Sequence, residues 1–175
     1  ATLRYTNGRR PMVHIFVEGD TLFIQHGCPD GLGVCTVDFT VTMPEDKAMW
    51  IQSTSGNVDL TGHTGAMDID AVSGNVTLTD VSGDIHVQST SGNVRGTSVD
   101  AQNITAYSTS GNTTFRMVGT PTNVMIESTS GNVELTVPDD DYNFCLRAVS
   151  GNVSLRGLSD VDAAERFVEI GTISD

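Results

Sequence analysis

Seven serines each stand immediately before a glycine: Ser55, Ser73, Ser82, Ser91, Ser110, Ser130 and Ser150. A serine hydroxyl becomes a nucleophile when a base lies within hydrogen-bond reach. None of the seven sits in a Gly-x-Ser-x-Gly elbow, and no Ser-x-x-Lys occurs. One residue repeated at one place in seven phrases reads as structure, so no catalytic residue is expected. His14, His26, His63 and His86 do not stand at metal-ligand spacing. Asp139-Asp140-Asp141, after Pro138, could hold calcium weakly or form a solvated acidic loop; the Gly-Gly-x-Gly-x-Asp repeats of calcium-binding β-rolls are absent. No phosphate-cradling glycine-rich loop leads into a helix, and no cofactor is expected. Cys28 and Cys35 flank a flexible Pro29–Val34 loop. They could close a small disulfide, as in an exported protein, or stand as two reduced thiols.

The serines lead instead to the elements around them. The phrase is Ser-Gly-Asn/Asp, and its turn pairs are Gly56-Asn57, Gly74-Asn75, Gly83-Asp84, Gly92-Asn93, Gly111-Asn112, Gly131-Asn132 and Gly151-Asn152. The glycines are 18, 9, 9, 19, 20 and 20 residues apart. A period near 20 with one half-period step marks a stacked repeat. Two and four residues after the glycine, and five and seven before it, the chain is mostly apolar: Val94, Phe115, Ile126 and Phe144 are examples. These positions alternate with polar ones, the pattern of half-buried strands.

Each rung of about 20 residues therefore reads as strand, Ser-Gly-Asn turn, strand, looser turn. The half-period step places Ser82-Gly83-Asp84 at the opposite edge. Small residues three before the glycine (Ser53, Ala71, Ser89, Ser108, Ser128, Ala148) suit a tight corner, and the asparagines could stack as an amide ladder. Gly96 leaves room for the Phe115 ring on the next rung. The fold class predicted is all-β: a β-solenoid, β-helix-like, with two strands per rung and an N-terminal strand cap.

The 175 residues divide on this reading into N-terminal strands and cap (1–46), the repeat solenoid (47–158) and a C-terminal cap (159–175) of one domain. In the first part, Met12–Val17 and Thr21–Ile24 form a hairpin about Glu18-Gly19-Asp20, and Val37–Pro44 is a strand ended by proline. Ser159–Ile170 alone has helical composition and reads as a short helix or a turn. Cys145 alternates outward, in a column with Trp50, Asp68, His86, Thr105 and Met125; an Asp68–His86 ion pair is expected there, and a face partly covered by a terminal segment. The net charge of −13 disfavours nucleic acid and keeps an elongated β protein soluble and monomeric. No secretory signal or membrane span is present, so membrane attachment is expected only through a segment outside this chain. The start at Ala1 suggests an excised piece of a longer protein.

Gly19-Asp20-Thr21-Leu22-Phe23-Ile24, the apolar strand Val37–Met43 ending at Pro44, and the serial Ser-Gly-Asn/Asp-Val together resemble a bacterial family of adhesin-like stacked β domains called toastrack. The resemblance covers most of the chain, but no clean final Gly-Asp-Ile strand follows Ser150-Gly151-Asn152. It implies a noncatalytic extracytoplasmic module of the bacterial cell surface or envelope; a protein or glycan partner is expected from the flat polar faces of the sheets. The alternatives are a ligand-sensing module of an envelope-stress system that binds cationic peptides, and a carbohydrate-active enzyme, which would need carboxylates converging on one groove. The expected contact surfaces are flat polar columns: Thr114, Glu134 and Ser154 beside Arg95, and Glu127 with Arg147.

Overall fold

Alternation of apolar and polar residues pairs up as strands throughout. The computed structural model describes residues 2–6, 12–19, 21–27, 36–140, 143–158 and 167–172, and the chain forms two compact units, Ala1–Pro44 and Glu45–Asp175. Cys28 and Cys35 lie outside the described residues.

In the first unit, β1 (Thr2–Thr6) pairs antiparallel with β4 (Thr36–Thr40). Strand β2 (Met12–Glu18) pairs antiparallel with β3 (Thr21–Gly27), turning at Gly19, whose φ is 60°. Phe16 and Phe23 face each other in this hairpin and stack with centroids 4.9 Å apart.

The second unit is the solenoid. Its strands are β5 (Met49–Ser53), β6 (Val58–Thr61), β7 (Met67–Ser73), β8 (Val76–Ser82), β9 (Ile85–Ser91) and β10 (Val94–Asp100), followed by β11 (Asn103–Ser110), β12 (Thr113–Met117), β13 (Asn123–Ser130), β14 (Val133–Thr136), β15 (Asn143–Ser150), β16 (Val153–Arg156) and β17 (Phe167–Thr172). The odd strands form one parallel sheet of seven and the even strands one of six. Each strand pairs with the like strand one rung on, and the described strands make about six turns.

Between the sheets lies one apolar column per inward position. Val58, Val76, Val94 and Val133 line one, with Leu78, Phe115 and Leu135 beside them; Ile69, Val87, Ala106, Ile126 and Leu146 line a third, and Met67, Ile85, Ile104, Val124 and Phe144 a fourth. Phe115 is fully buried, in register with Gly96 and Leu135. A Cβ on Gly96 would overlap the Phe115 ring, whose Cε1 would lie 2.8 Å away, so the glycine is the socket for that ring as expected. Thr113 breaks the valine column: it is buried, and its Oγ1 has no hydrogen-bond partner among the described residues.

The C-terminal segment corrects the sequence reading. Phe167–Ile170 belongs to β17, a strand and not a helix, and extends the seven-stranded sheet by parallel pairing with β15. Val168 and Ile170 take the register positions of Phe144 and Leu146. So short a segment has little helical stability of its own, and an open sheet edge outcompetes it. Residues 159–166 lie outside the described residues.

Replacing Phe115 with Ala is expected to cost about 3–5 kcal/mol, because the neighbouring backbones are fixed by both ladders and cannot collapse into the void. Thr113→Val should raise stability by about 1–2 kcal/mol by removing an unsatisfied buried hydroxyl at nearly constant shape. Urea unfolding of both variants checks the pair, and a Thr113→Val protein weaker than the parent contradicts the packing described.

Candidate functional site: the stacked corner and the groove beside it

The Ser-Gly-Asn corner joins the seven-stranded sheet to the six-stranded one. Gly56, Gly74, Gly92, Gly111, Gly131 and Gly151 stack there, all with φ between 129° and 145°. Gly111 shows why the residue is required: a Cβ on it would overlap the carbonyl oxygen of Gly92 beneath, and its φ of 130° is strained for any side chain.

Three hydrogen bonds join each corner to the next. Gly111 N–H donates to Ser130 O (3.0 Å), Thr113 N–H to Asn132 O (2.9 Å), and Asn132 N–H back to Asn112 Oδ1 (3.0 Å). The same side-chain bond links Asn75 to Asn57, Asn93 to Asn75, Asn112 to Asn93 and Asn152 to Asn132, at 2.9–3.0 Å. The asparagine ladder thus rests on backbone N–H groups donating to side-chain carbonyls, with an amide-to-amide contact beside it from Asn75 Nδ2 to Asn57 Oδ1 at 3.5 Å. The chain turns away here, and Oδ1 supplies the acceptor that a straight strand would take from a neighbouring carbonyl. Ser53, Ser89 and Ser108 add hydroxyl contacts to the glycine carbonyl three residues on, at 3.3–3.4 Å.

Gly83-Asp84 is at the opposite corner, as the half-period step requires. Gly83 has a φ of 90° and rests on Gly65. Asp84 begins a second ladder: Asn103 Nδ2 donates to Asp84 Oδ1 (2.8 Å), and Asn123 Nδ2 to Asn103 Oδ1 (3.0 Å). Sequence reading missed this ladder, although Asn103, Asn123 and Asn143 recur eight residues before their glycines.

The outward columns hold their expected register. Thr114 is paired with Arg95 and Glu134, Glu134 with Ser154, and Glu127 with Arg147. Glu134 also meets Arg156 at 3.2 Å, an exposed pair worth about 0–1 kcal/mol. The Trp50–Cys145 column points outward too; Trp50 is 63% exposed and Met125 38%, so neither is covered. His86 does not pair with Asp68. Its Nε2 lies 3.0 Å from Gln88 Nε2, and its ring meets the edge of Tyr107 at 6.0 Å. His63 is buried, with its Nε2 lacking a partner among the described residues. Among those residues no group of three or more His, Cys, Asp or Glu could hold a metal ion; Asp141 lies outside them. No described helix is long and apolar enough to cross a membrane.

One face is not flat. A groove of about 640 Å³ runs along the stack on the outside of the seven-stranded sheet. One wall is the column Gln52, Asp70, Gln88, Tyr107, Glu127, Arg147. The other is Val72, Thr90, Thr109, Thr129 and Val149. Its floor is the buried small column Ala71, Ser89, Ser108 and Ser128. The ladder passes from Ser108 to Ser110 with no pairing at Thr109, and the groove lies along this interruption, between the two columns. Of the floor residues, Ser89 and Ser108 brace the glycine carbonyls beside the groove, whereas Ser128 Oγ is buried without a partner among the described residues.

Gly111→Val is expected to lower stability by about 1–3 kcal/mol, more than the roughly 1 kcal/mol lost by Asn112→Ala, since the first opposes two backbones and the second removes one exposed hydrogen bond. Thermal unfolding of the two variants side by side checks the order. Equal melting temperatures would remove the close approach from its structural role.

Comparison with known proteins follows the same lines. No curated protein and no solved structure matches the chain. The family model Toastrack DUF4097 matches residues 36–117 and again 81–166, so the two matches together span the repeat region and well over half of the chain. The overlap of two matches is what a repeat in register with itself produces. With its parallel two-sheet coil and its stacked glycine corner, the chain belongs to the toastrack family of β-solenoid domains.

Proposed function

We propose that the chain is a noncatalytic interaction module of the bacterial cell surface or envelope, adhesin-like, with a protein or glycan partner. The observation that carries this reading is the groove itself, which is open along its length and drawn from six successive rungs. Extended surfaces of this kind on stacked repeats suit elongated partners better than small substrates. The seven Ser-Gly-Asn/Asp phrases form turns, six at one corner and Ser82-Gly83-Asp84 at the other, which supports a structural role for their serines. A carbohydrate-active enzyme is disfavoured by geometry. Asp70 and Glu127, the carboxylates of the groove, are three rungs apart in one column, about 14 Å at the usual strand spacing. That exceeds the separation of the carboxylate pair in either class of glycosidase.

A second reading has its own observation. Those two carboxylates and the net charge of −13 favour a cationic peptide, as in a ligand-sensing module of an envelope-stress system. Screening the purified chain for hydrolase and lyase activity on polysaccharides, beside binding to cell-wall polymers, cationic peptides and host matrix proteins, tests the proposal. Saturable binding without turnover is expected. Turnover that survives repurification and vanishes in Asp70→Asn or Glu127→Gln overturns the noncatalytic reading.

A further inference from the structure

We propose that the groove binds a linear, uncharged glycan lying along the stack axis, with its sugar units in step with the rungs. This rests on the interaction-module reading and specifies its ligand. The groove crosses the strands, so a ligand filling it must be thin, long and periodic. From Gln52 to Arg147 the wall advances five rung spacings, about 24 Å.

The chemistry of the walls separates a glycan from a peptide. The main chain of the seven-stranded sheet is engaged in its own parallel ladders over these rungs. An occupant running across the strands therefore cannot add to the sheet as a further strand, the usual route by which an extended peptide gains affinity. What the groove offers is side chains. The carboxamides of Gln52 and Gln88 both donate and accept, the hydroxyls of Thr90, Thr109 and Thr129 do the same, and the carboxylates accept. This mixture suits a ligand whose every polar group is a hydroxyl or an amide.

Tyr107 stands midway, 37% exposed. Its hydroxyl reaches Met125 Sδ at 3.3 Å and its ring meets His86, so it is held in place. An aromatic ring fixed among hydrogen-bonding groups gives the apolar C–H face of a pyranose a surface to pack on. Charge points the same way. The lining holds two carboxylates and one guanidinium, Arg147, on a chain of net charge −13. A polyanion is repelled, while a polycation drawn in by the net charge meets Arg147 at one end and mostly neutral side chains between the two carboxylates.

The test is calorimetric titration of the full chain with β-1,4-linked glucose and β-1,4-linked N-acetylglucosamine oligomers, from disaccharide to heptasaccharide, with polylysine as the charged comparison. Affinity for at least one series is expected to climb with each added sugar and level off near the hexasaccharide. Tyr107→Ala should weaken hexasaccharide binding about tenfold or more, the factor that about 1.4 kcal/mol represents. Arg116→Gln, exposed on the six-stranded sheet, should leave it within a factor of about two, and both variants should keep the parent far-ultraviolet dichroism. Absence of binding in both series, binding independent of length, or binding indifferent to Tyr107→Ala overturns the proposal. So does tighter, salt-sensitive binding of polylysine, which would leave the interaction-module reading standing with a cationic peptide in the groove.

Discussion

The approach of one glycine backbone to the next, rung over rung at the Ser-Gly-Asn corner, is the constraint on which the solenoid rests. The carbonyl of Gly92 occupies the space where a side chain on Gly111 would begin, and the same holds at Gly74, Gly92, Gly131 and Gly151, each over the glycine before it. Any Cβ there would push adjacent rungs apart beyond hydrogen-bonding distance. The parallel ladders on both sides would lengthen together, and the apolar columns between them would lose contact. The asparagine bond from Oδ1 to the next rung's N–H works at the same spacing, so corner, ladders and core are satisfied at one rise per rung.

Because that corner cannot vary, variation is displaced to the other one. From Ile51 through Ile69, Val87, Ala106, Ile126 and Leu146 to Ile170, partners on successive rungs are 18, 18, 19, 20, 20 and 24 residues apart. The added residues enter after the six-stranded sheet. There Gly62, Asp80 and Ser98 hold positive φ on three successive rungs, and the register shifts between Gly96 and Val99. Asp tolerates that conformation better than Ser, and glycine best of all. The groove lies beside the fixed corner, where the ladder is interrupted between Ser108 and Ser110.

Much of this was legible because each rung reports the same environment several times. Single phrases of small residues are weak signals, but seven in register gave the corner, the four inward columns and the Gly96 socket for Phe115. What escaped depends on geometry that no period encodes. The groove lies between two outward columns on either side of an interrupted ladder, and alternation alone does not distinguish that from a flat face. The Asp84–Asn103–Asn123 ladder was hidden because its first member is Asp, which breaks the run of asparagines at a position otherwise in step with the glycines. His86 turns to Gln88 on its own strand, a rotamer choice that register cannot fix. At Phe167–Ile170 local composition suggested helix, and pairing with β15 decided otherwise.

The register differences also bear on how the chain reaches this state. In most all-β folds, strands distant in sequence must meet before either is stable, and the entropy of closing such loops slows folding. Here every sheet pairing in the solenoid joins residues 18 to 24 apart, however many rungs are stacked. Loop closure therefore costs nearly the same at each step, and one formed pair of rungs is a template for its neighbours on either side. Contact order stays low as the stack grows, so assembly can begin at any rung and propagate. By the same logic the stack opens from its ends, where Leu60 and Leu155 are only partly buried, while Leu78 through Leu135 remain enclosed.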